Sequence, residues 1–234
     1  SFRTEPGPGR RGADDRHVRR MRFHAAWAAP RCPVPPSAVR VNTTLVIATR
    51  ESALALTQVQ EALEALRPLF PPETRMEVRP KTTPGDRDLM TPLAKPDLPQ
   101  DFFTRDLDRS VLDGEADLAI HSAKDLPHPM PDGLITAALL PARDIRDALV
   151  IRPGLDLASV RVVGSSSPQR NEELARLHPE WELRPIRGSV PARIQQVDAG
   201  DYDAVVVAAC ALERLGLADR SNAYLPWDPT PNQG

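Results

Sequence analysis

From Thr44 onward, short runs of β-branched and apolar residues alternate with segments whose apolar positions recur every three or four residues. That alternation marks a chain folding as strand, helix, strand, an α/β architecture. The runs predict strands over residues 45–48, 76–78, 117–120, 148–151, 161–163, 182–186 and 204–207. Ser52 is placed to cap a helix in which Leu54, Leu56, Val59, Leu63 and Leu66 make one apolar stripe that ends before Pro68. Further helices are predicted over 104–112, 168–177 and 190–199. The charged stretch Ala142-Arg143-Asp144-Ile145-Arg146-Asp147 separates two strand–helix clusters. The expected organisation is two lobes, residues 43–143 and 144–234, with a cleft between them. Residues 1–42 have no periodicity, are rich in Pro, Gly and Arg, and read as a disordered leader outside the fold.

Composition sharpens this picture. The longest apolar runs, such as 204–212, fall far short of the roughly 18 to 20 residues a membrane-spanning helix needs, so no membrane partner is expected. Two cysteines, Cys32 and Cys210, cannot form a disulfide framework, and neither has a second ligand at metal-binding spacing. A reducing, cytoplasmic setting and no metal are expected. The formal charge is −2, but residues 1–42 hold nine Arg against three acidic residues, which leaves the rest of the chain at −8. An acidic body argues against nucleic acid as a partner. Two motif matches fail on context. Residues 7–12 fit GxGxxG without a strand before or an amphipathic helix after, and Asn42-Thr43-Thr44 is a glycosylation sequon without a secretory signal.

Ligands of open α/β sheets bind beyond the carboxyl ends of the strands. The segments immediately after those ends are polar and mostly cationic here: Thr49-Arg50-Glu51-Ser52, His121-Ser122-Ala123-Lys124-Asp125, Gly164-Ser165-Ser166-Ser167-Pro168-Gln169-Arg170, and Arg187-Gly188-Ser189-Val190-Pro191-Ala192-Arg193. The last two open helices, so free N–H groups, hydroxyls and guanidinium groups could converge on one anion, and the fork of Arg suits a carboxylate or phosphate. Taken singly, the serines could merely cap helices and the arginines be solvated. Lys124-Asp125 puts a carboxylate among the cations, able to hold ligand N–H groups or stabilise a developing positive charge, or else to form an ordinary surface pair. His121 reads as a structural histidine and Cys210 as a buried small hydrophobe. The chain has no GxxxxGK[ST], HExxH or GxSxG motif.

Six segments in order resemble the porphobilinogen deaminase (hydroxymethylbilane synthase) family: Ile47-Ala48-Thr49-Arg50-Glu51-Ser52, Thr91-Pro92-Leu93-Ala94-Lys95, His121-Ser122-Ala123-Lys124-Asp125-Leu126-Pro127, Val163-Gly164-Ser165-Ser166-Ser167, Ile186-Arg187-Gly188-Ser189-Val190-Pro191-Ala192-Arg193 and Leu212-Glu213-Arg214-Leu215-Gly216-Leu217. The resemblance covers residues 44–234. It implies two βα lobes similar to type II periplasmic binding protein domains. The implied activity is a transferase of heme and tetrapyrrole biosynthesis that condenses four porphobilinogen molecules into 1-hydroxymethylbilane with release of ammonia, using a covalent dipyrromethane cofactor. Matching positions imply Asp125 as the catalytic carboxylate. Arg50, Ser52, Lys124, Ser166, Ser167, Arg170, Arg187, Arg193 and Arg214 are implied as the set that binds substrate and cofactor carboxylates. Phe103 is implied to pack on the pyrroles, and a monomer is expected.

The sequence also departs from the family pattern. Gln169-Arg170 stands where two adjacent arginines are usual, and Asp97-Leu98-Pro99-Gln100-Asp101 replaces a glycine-rich stretch before the Phe. Pro231-Asn232-Gln233-Gly234 resembles the hinge before the family's third domain, which carries the cofactor-bearing cysteine; Cys32 and Cys210 do not match it. The expectation is therefore an N-terminal portion, with the returning segment of the first lobe and the third domain absent and little activity alone. The alternatives are a non-catalytic binding module for carboxylated ligands and a degenerate paralogue.

Overall fold

A computed structural model describes residues 44–88, 99 and 101–225. The first sheet contains three parallel strands, β1 (Thr44–Arg50), β2 (Arg75–Lys81) and β3 (Leu118–Ala119), in the order β2-β1-β3. Between them lie helices α1 (Ala53–Leu66), α2 (Pro84–Arg87) and α3 (Arg105–Leu112). Ser52 caps α1 as its spacing predicts, accepting a hydrogen bond from the Ala55 N–H at 3.2 Å. Ile47, Ala48, Val59 and Leu107 are fully buried and hold these helices to the sheet, each worth about 1.5–3 kcal/mol for the larger aliphatic side chains.

The second sheet is mixed. It contains β4 (Asp147–Ile151), β5 (Val162–Gly164), β6 (Glu182–Arg184), β7 (Ala204–Ala208) and β8 (Ala223–Tyr224), in the order β6-β5-β7-β4-β8. Helices α4 (Pro168–Leu177) and α5 (Val190–Ala199) cross between its strands, and α6 (Ala209–Arg214) follows β7 directly. Alternation along β4 and β7 separates two cores. Ala148, Val150, Val205 and Val207 meet Ile194 and Val197 of α5, whereas Leu149, Ile151, Ala204 and Val206 meet Leu174 of α4 and Trp181.

Several details differ from the expectations. β6 ends at Arg184 rather than 186, because Pro185 has no N–H to continue the ladder. Ser166 takes over: its Oγ donates to the Ile186 carbonyl at 2.6 Å and accepts from the Ile186 N–H at 2.9 Å. The apolar run 204–212 turns from strand into α6 without a polar break, so Cys210 lies on a helix. α2 and β8 are too short to register as periodic patterns. No helix among the described residues is long and apolar enough to cross a membrane.

Candidate functional site

The topology gathers the predicted strand ends. β5 and β7 are parallel, while β4 runs antiparallel to β7 with Asp147 opposite Ala208. The first residue of β4 therefore lies at the same edge as the last residues of its neighbours. A buried carboxylate thus meets the helix-opening segments. Asp147, with a fully buried side chain, accepts from Arg170 Nε at 2.9 Å and Nη2 at 2.6 Å.

Beside this pair the charge is cationic. Lys124 is exposed to solvent, but protein crowds its surroundings, with Arg170 and Arg193 nearby. Burial, first, holds its ammonium pKa below the usual value; Asp125 opposes the shift, and the two arginines add to it. Arg193 is driven down to about 10, first by burial and then by Arg170 and Arg187. Burial also lowers Arg187, against the pull of Asp88. Burial and mutual repulsion thus make positive charge in this cluster costly, a cost that an added anion would relieve.

Local structure fixes this crowding. Gly188 has φ +103°, a left-handed conformation that favours glycine, and lets its carbonyl accept Arg193 Nε at 2.9 Å. Ser189 caps α5 through the Ala192 N–H at 3.4 Å. Arg187 Nη2 donates to the Asp88 carbonyl at 2.5 Å, whereas its buried Nε and the buried Ser165 hydroxyl have no hydrogen-bond partner among the described residues. Unsatisfied buried donors beside a cation cluster suit a carboxylate-bearing ligand.

The carboxylate side is built on the first sheet. Arg50, the last residue of β1, has Nη1 3.5 Å from Asp125 Oδ2, and its guanidinium lies 4.7 Å from the centre of the Phe103 ring. Its Nε and Nη2 edge is held by Asp86, with Nε 3.2 Å from both oxygens. Asp86 Oδ2 also accepts from the Thr83 N–H at 3.1 Å and hydroxyl at 2.7 Å. Burial works to raise the Asp86 pKa, but the hydrogen bonds from Arg50 and Thr83 outweigh it and leave the carboxyl below its usual range. Phe103 rests on Gly85, where an added Cβ would fall 2.2 Å from the ring. A cavity of about 30 Å³ is lined by Arg50, Ser52, His121, Ser122 and Asp125.

Among the residues singled out from sequence, the structure brings together Arg50, Asp125 and Phe103, and groups Lys124 with Asp125, Arg170, Arg187 and Arg193. Ser52 and Ser167 cap α1 and α4, and Ser166 is engaged by the Ile186 backbone. Arg214 is held by Glu61 at 3.0 Å, with 7% of its side chain exposed. His121 is buried with Nε2 3.3 Å from Asp108 Oδ1. Gln169 is exposed. The segment 91–95, all of the 97–101 stretch but Pro99 and Asp101, Cys32 and residues 231–234 lie outside the described residues. Sequence reasoning missed Asp86, Asp147 and Glu61. Only Asp86 carried a signal, the capping-box spacing Thr83-Pro84-Gly85-Asp86 with proline at the first helical position.

The family model described as porphobilinogen deaminase, dipyromethane cofactor binding domain, matches residues 45–234. The chain belongs to the porphobilinogen deaminase family. A porphobilinogen deaminase of Burkholderia mallei (strain SAVP1) is 40% identical over 197 residues, covering 82% of this chain and 59% of its own length. That of Burkholderia orbicola (strain MC0-3) is 38% identical over 214 residues, 90% of this chain and 62% of its own. The chain thus spans about three fifths of the length of these deaminases. Among solved structures, an amino acid ABC transporter substrate-binding protein from Streptococcus pneumoniae, bound to L-arginine, aligns over 83% of this chain and 81% of its own at 12% identity and a TM-score of 0.44. That likeness is too remote to carry anything across. In this deaminase-family chain Cys210 is buried at the start of α6, and burial pushes its thiol pKa up, the opposite of a reactive cysteine.

Proposed function

We propose that the chain supplies the substrate- and cofactor-binding cleft of a hydroxymethylbilane synthase, a cytoplasmic, monomeric transferase that joins four porphobilinogen molecules with loss of ammonia. The two sheets would form its two lobes, divided near residues 143 and 144. One observation carries this reading: a strained cation cluster of Lys124, Arg187 and Arg193, built around the Arg170–Asp147 pair, lies beside the carboxylate of Asp125.

Each pyrrole of substrate and cofactor bears an acetate and a propionate, and these carboxylates match the cluster in charge and geometry. Binding them would offset the burial and the repulsion that lower Lys124 and Arg193. The buried Ser165 hydroxyl and Arg187 Nε, both without partners among the described residues, fit the same carboxylate-bearing groups. When bound, dipyrromethane would supply the pyrrole carbon from which the product grows.

Asp125 would accept the pyrrole N–H of the incoming substrate. As the aminomethyl C–N bond breaks, ammonia departs with the bonding pair and the ring becomes a cationic azafulvene. The Asp125 carboxylate faces that developing charge. In a cleft poor in water such a fixed negative charge is worth far more than in bulk solvent. Arg50, clamped by Asp86 and stacked on Phe103, would hold Asp125 in place. Attack by the neighbouring pyrrole carbon and loss of its proton complete the bond.

The test is Asp125→Ala in the product of the complete gene, with turnover and porphobilinogen affinity measured separately. Turnover lost with affinity kept within a few-fold supports the catalytic role. Retained turnover removes Asp125 from the mechanism, and a wild-type protein that binds without turning over supports a binding module. Gln169→Arg addresses the degenerate-paralogue alternative, because an unchanged affinity marks that departure as harmless.

A further inference from the structure

We propose that Glu61 is a positioning residue that diverts Arg214 from ligand binding and uses it to strap the two sheets together across the cleft. Glu61 lies on α1, which belongs to the first sheet. Its Oε2 accepts from Arg214 Nε at 3.0 Å, and Arg214 ends α6 of the second sheet. Its Oε1 meets Arg143 Nη2 at 2.9 Å, in the segment that joins the sheets. One carboxylate therefore ties together a helix from each side and the connector between them.

The placement suits a strap. Arg214 is only 7% exposed and Glu61 19%, so the pair is shielded from salt far better than a surface ion pair. It flanks an apolar contact in which Leu54 of α1 packs on Cys210 and Ala211 of α6. That contact is small, so the direction in which the charges pull decides how α1 sits on α6. Arg50, Ser52 and Asp125 are carried by the first sheet, whereas Arg170, Arg187 and Arg193 are carried by the second. Their mutual spacing depends on this junction together with the bond from Arg187 to the Asp88 carbonyl. A guanidinium whose Nε is committed to Glu61 in a nearly closed site is oriented for that carboxylate and not for a ligand.

The experiment uses the whole chain with Cys32 replaced by Ser and spin labels on cysteines introduced at Leu69 and Leu157, which are exposed and belong to the first-sheet and second-sheet halves. Distance distributions are compared for the parent, Glu61→Gln, Arg214→Met, the double variant and Arg143→Met. Both single variants should broaden the distribution, the double no further than either. Arg143→Met, at a half-exposed position, gives a smaller broadening and guards against a variant that fails to fold. Porphobilinogen affinity should fall about five-fold or more in Glu61→Gln. This last expectation rests on the proposed function, but the distances do not, so failure of one is separable from failure of the other. Distributions unchanged in both single variants would overturn the strap. Tighter porphobilinogen binding in Glu61→Gln would overturn it as well, because Arg214 would then be a masked ligand.

Discussion

Replacing Asp147 by Asn isolates the charge on which the cation cluster is built. The Asp147 side chain is fully buried, and it holds Arg170, itself 12% exposed, through two hydrogen bonds. The substitution keeps the shape but removes the negative charge that Asp147 sets against Arg170, next to Lys124 and Arg193. Breaking a buried pair in this way costs about 3–5 kcal/mol. Because Asn can still accept one hydrogen bond, the lower end applies, about 3 kcal/mol. A folded region of this size loses roughly 2–4 °C of melting temperature per kcal/mol, so the melt should fall by about 6–12 °C. Asp113→Asn is the control. The Arg109–Asp113 pair is as short, 2.7 Å against 2.6 Å for Arg170–Asp147, but Arg109 is 73% exposed, and such a pair is worth only about 0–1 kcal/mol. Scanning calorimetry in sulfate and in chloride at matched ionic strength adds a second reading. The more cationic cluster should take up sulfate more tightly, so sulfate should recover more stability in Asp147→Asn than in the parent. A loss no larger than that of Asp113→Asn, or equal sulfate effects in variant and parent, would refute the reasoning.

Two further outcomes are expected from the same geometry. Gly85→Ala would place a Cβ 2.2 Å from the Phe103 ring and force it off Arg50; a loss of about 1–3 kcal/mol in the melt is expected, with weaker porphobilinogen binding in titration. Lys124 is a base whose pKa falls on folding, so its charge destabilises the folded chain fully below its folded pKa. That penalty fades as pH rises from the folded value to the ordinary 10.5. Lys124→Met should therefore raise the melting temperature at neutral pH, lose that advantage across the alkaline window, and weaken anion binding; a lower neutral-pH melt would contradict the cluster.

The sequence predicts the strong elements because the physics there is local. Pro168 and Val190 begin helices behind Ser167 and Ser189 caps, and the apolar stripe from Leu54 to Leu66 admits only a helix. The alternation between β4 and β7 likewise follows from period two. Pairing is less legible. Nothing in the run from Ala148 to Ile151 says that β4 is antiparallel, and the position of Asp147 at the site edge depends on that reversal. In the site, residue types pointed to anion binding, and the cations at three strand ends do converge. Which arginines are already committed could not be read, because Asp86, Asp147 and Glu61 reach them from 36, 23 and 153 residues away in the chain. The serine run shows the same limit: Ser166 is recruited by the backbone of Ile186, 20 residues on, through a ladder that no local pattern encodes.

In the proposed function this cleft holds the carboxylates of a pyrrole through its strained cations. Calorimetric titration of the chain with porphobilinogen, comparing the parent with Arg193→Met and with Arg109→Met as a surface control, tests it most directly. Binding should weaken about ten-fold or more in Arg193→Met, the loss of one charge-assisted contact, and stay unchanged in Arg109→Met. Equal affinity in all three proteins would contradict it.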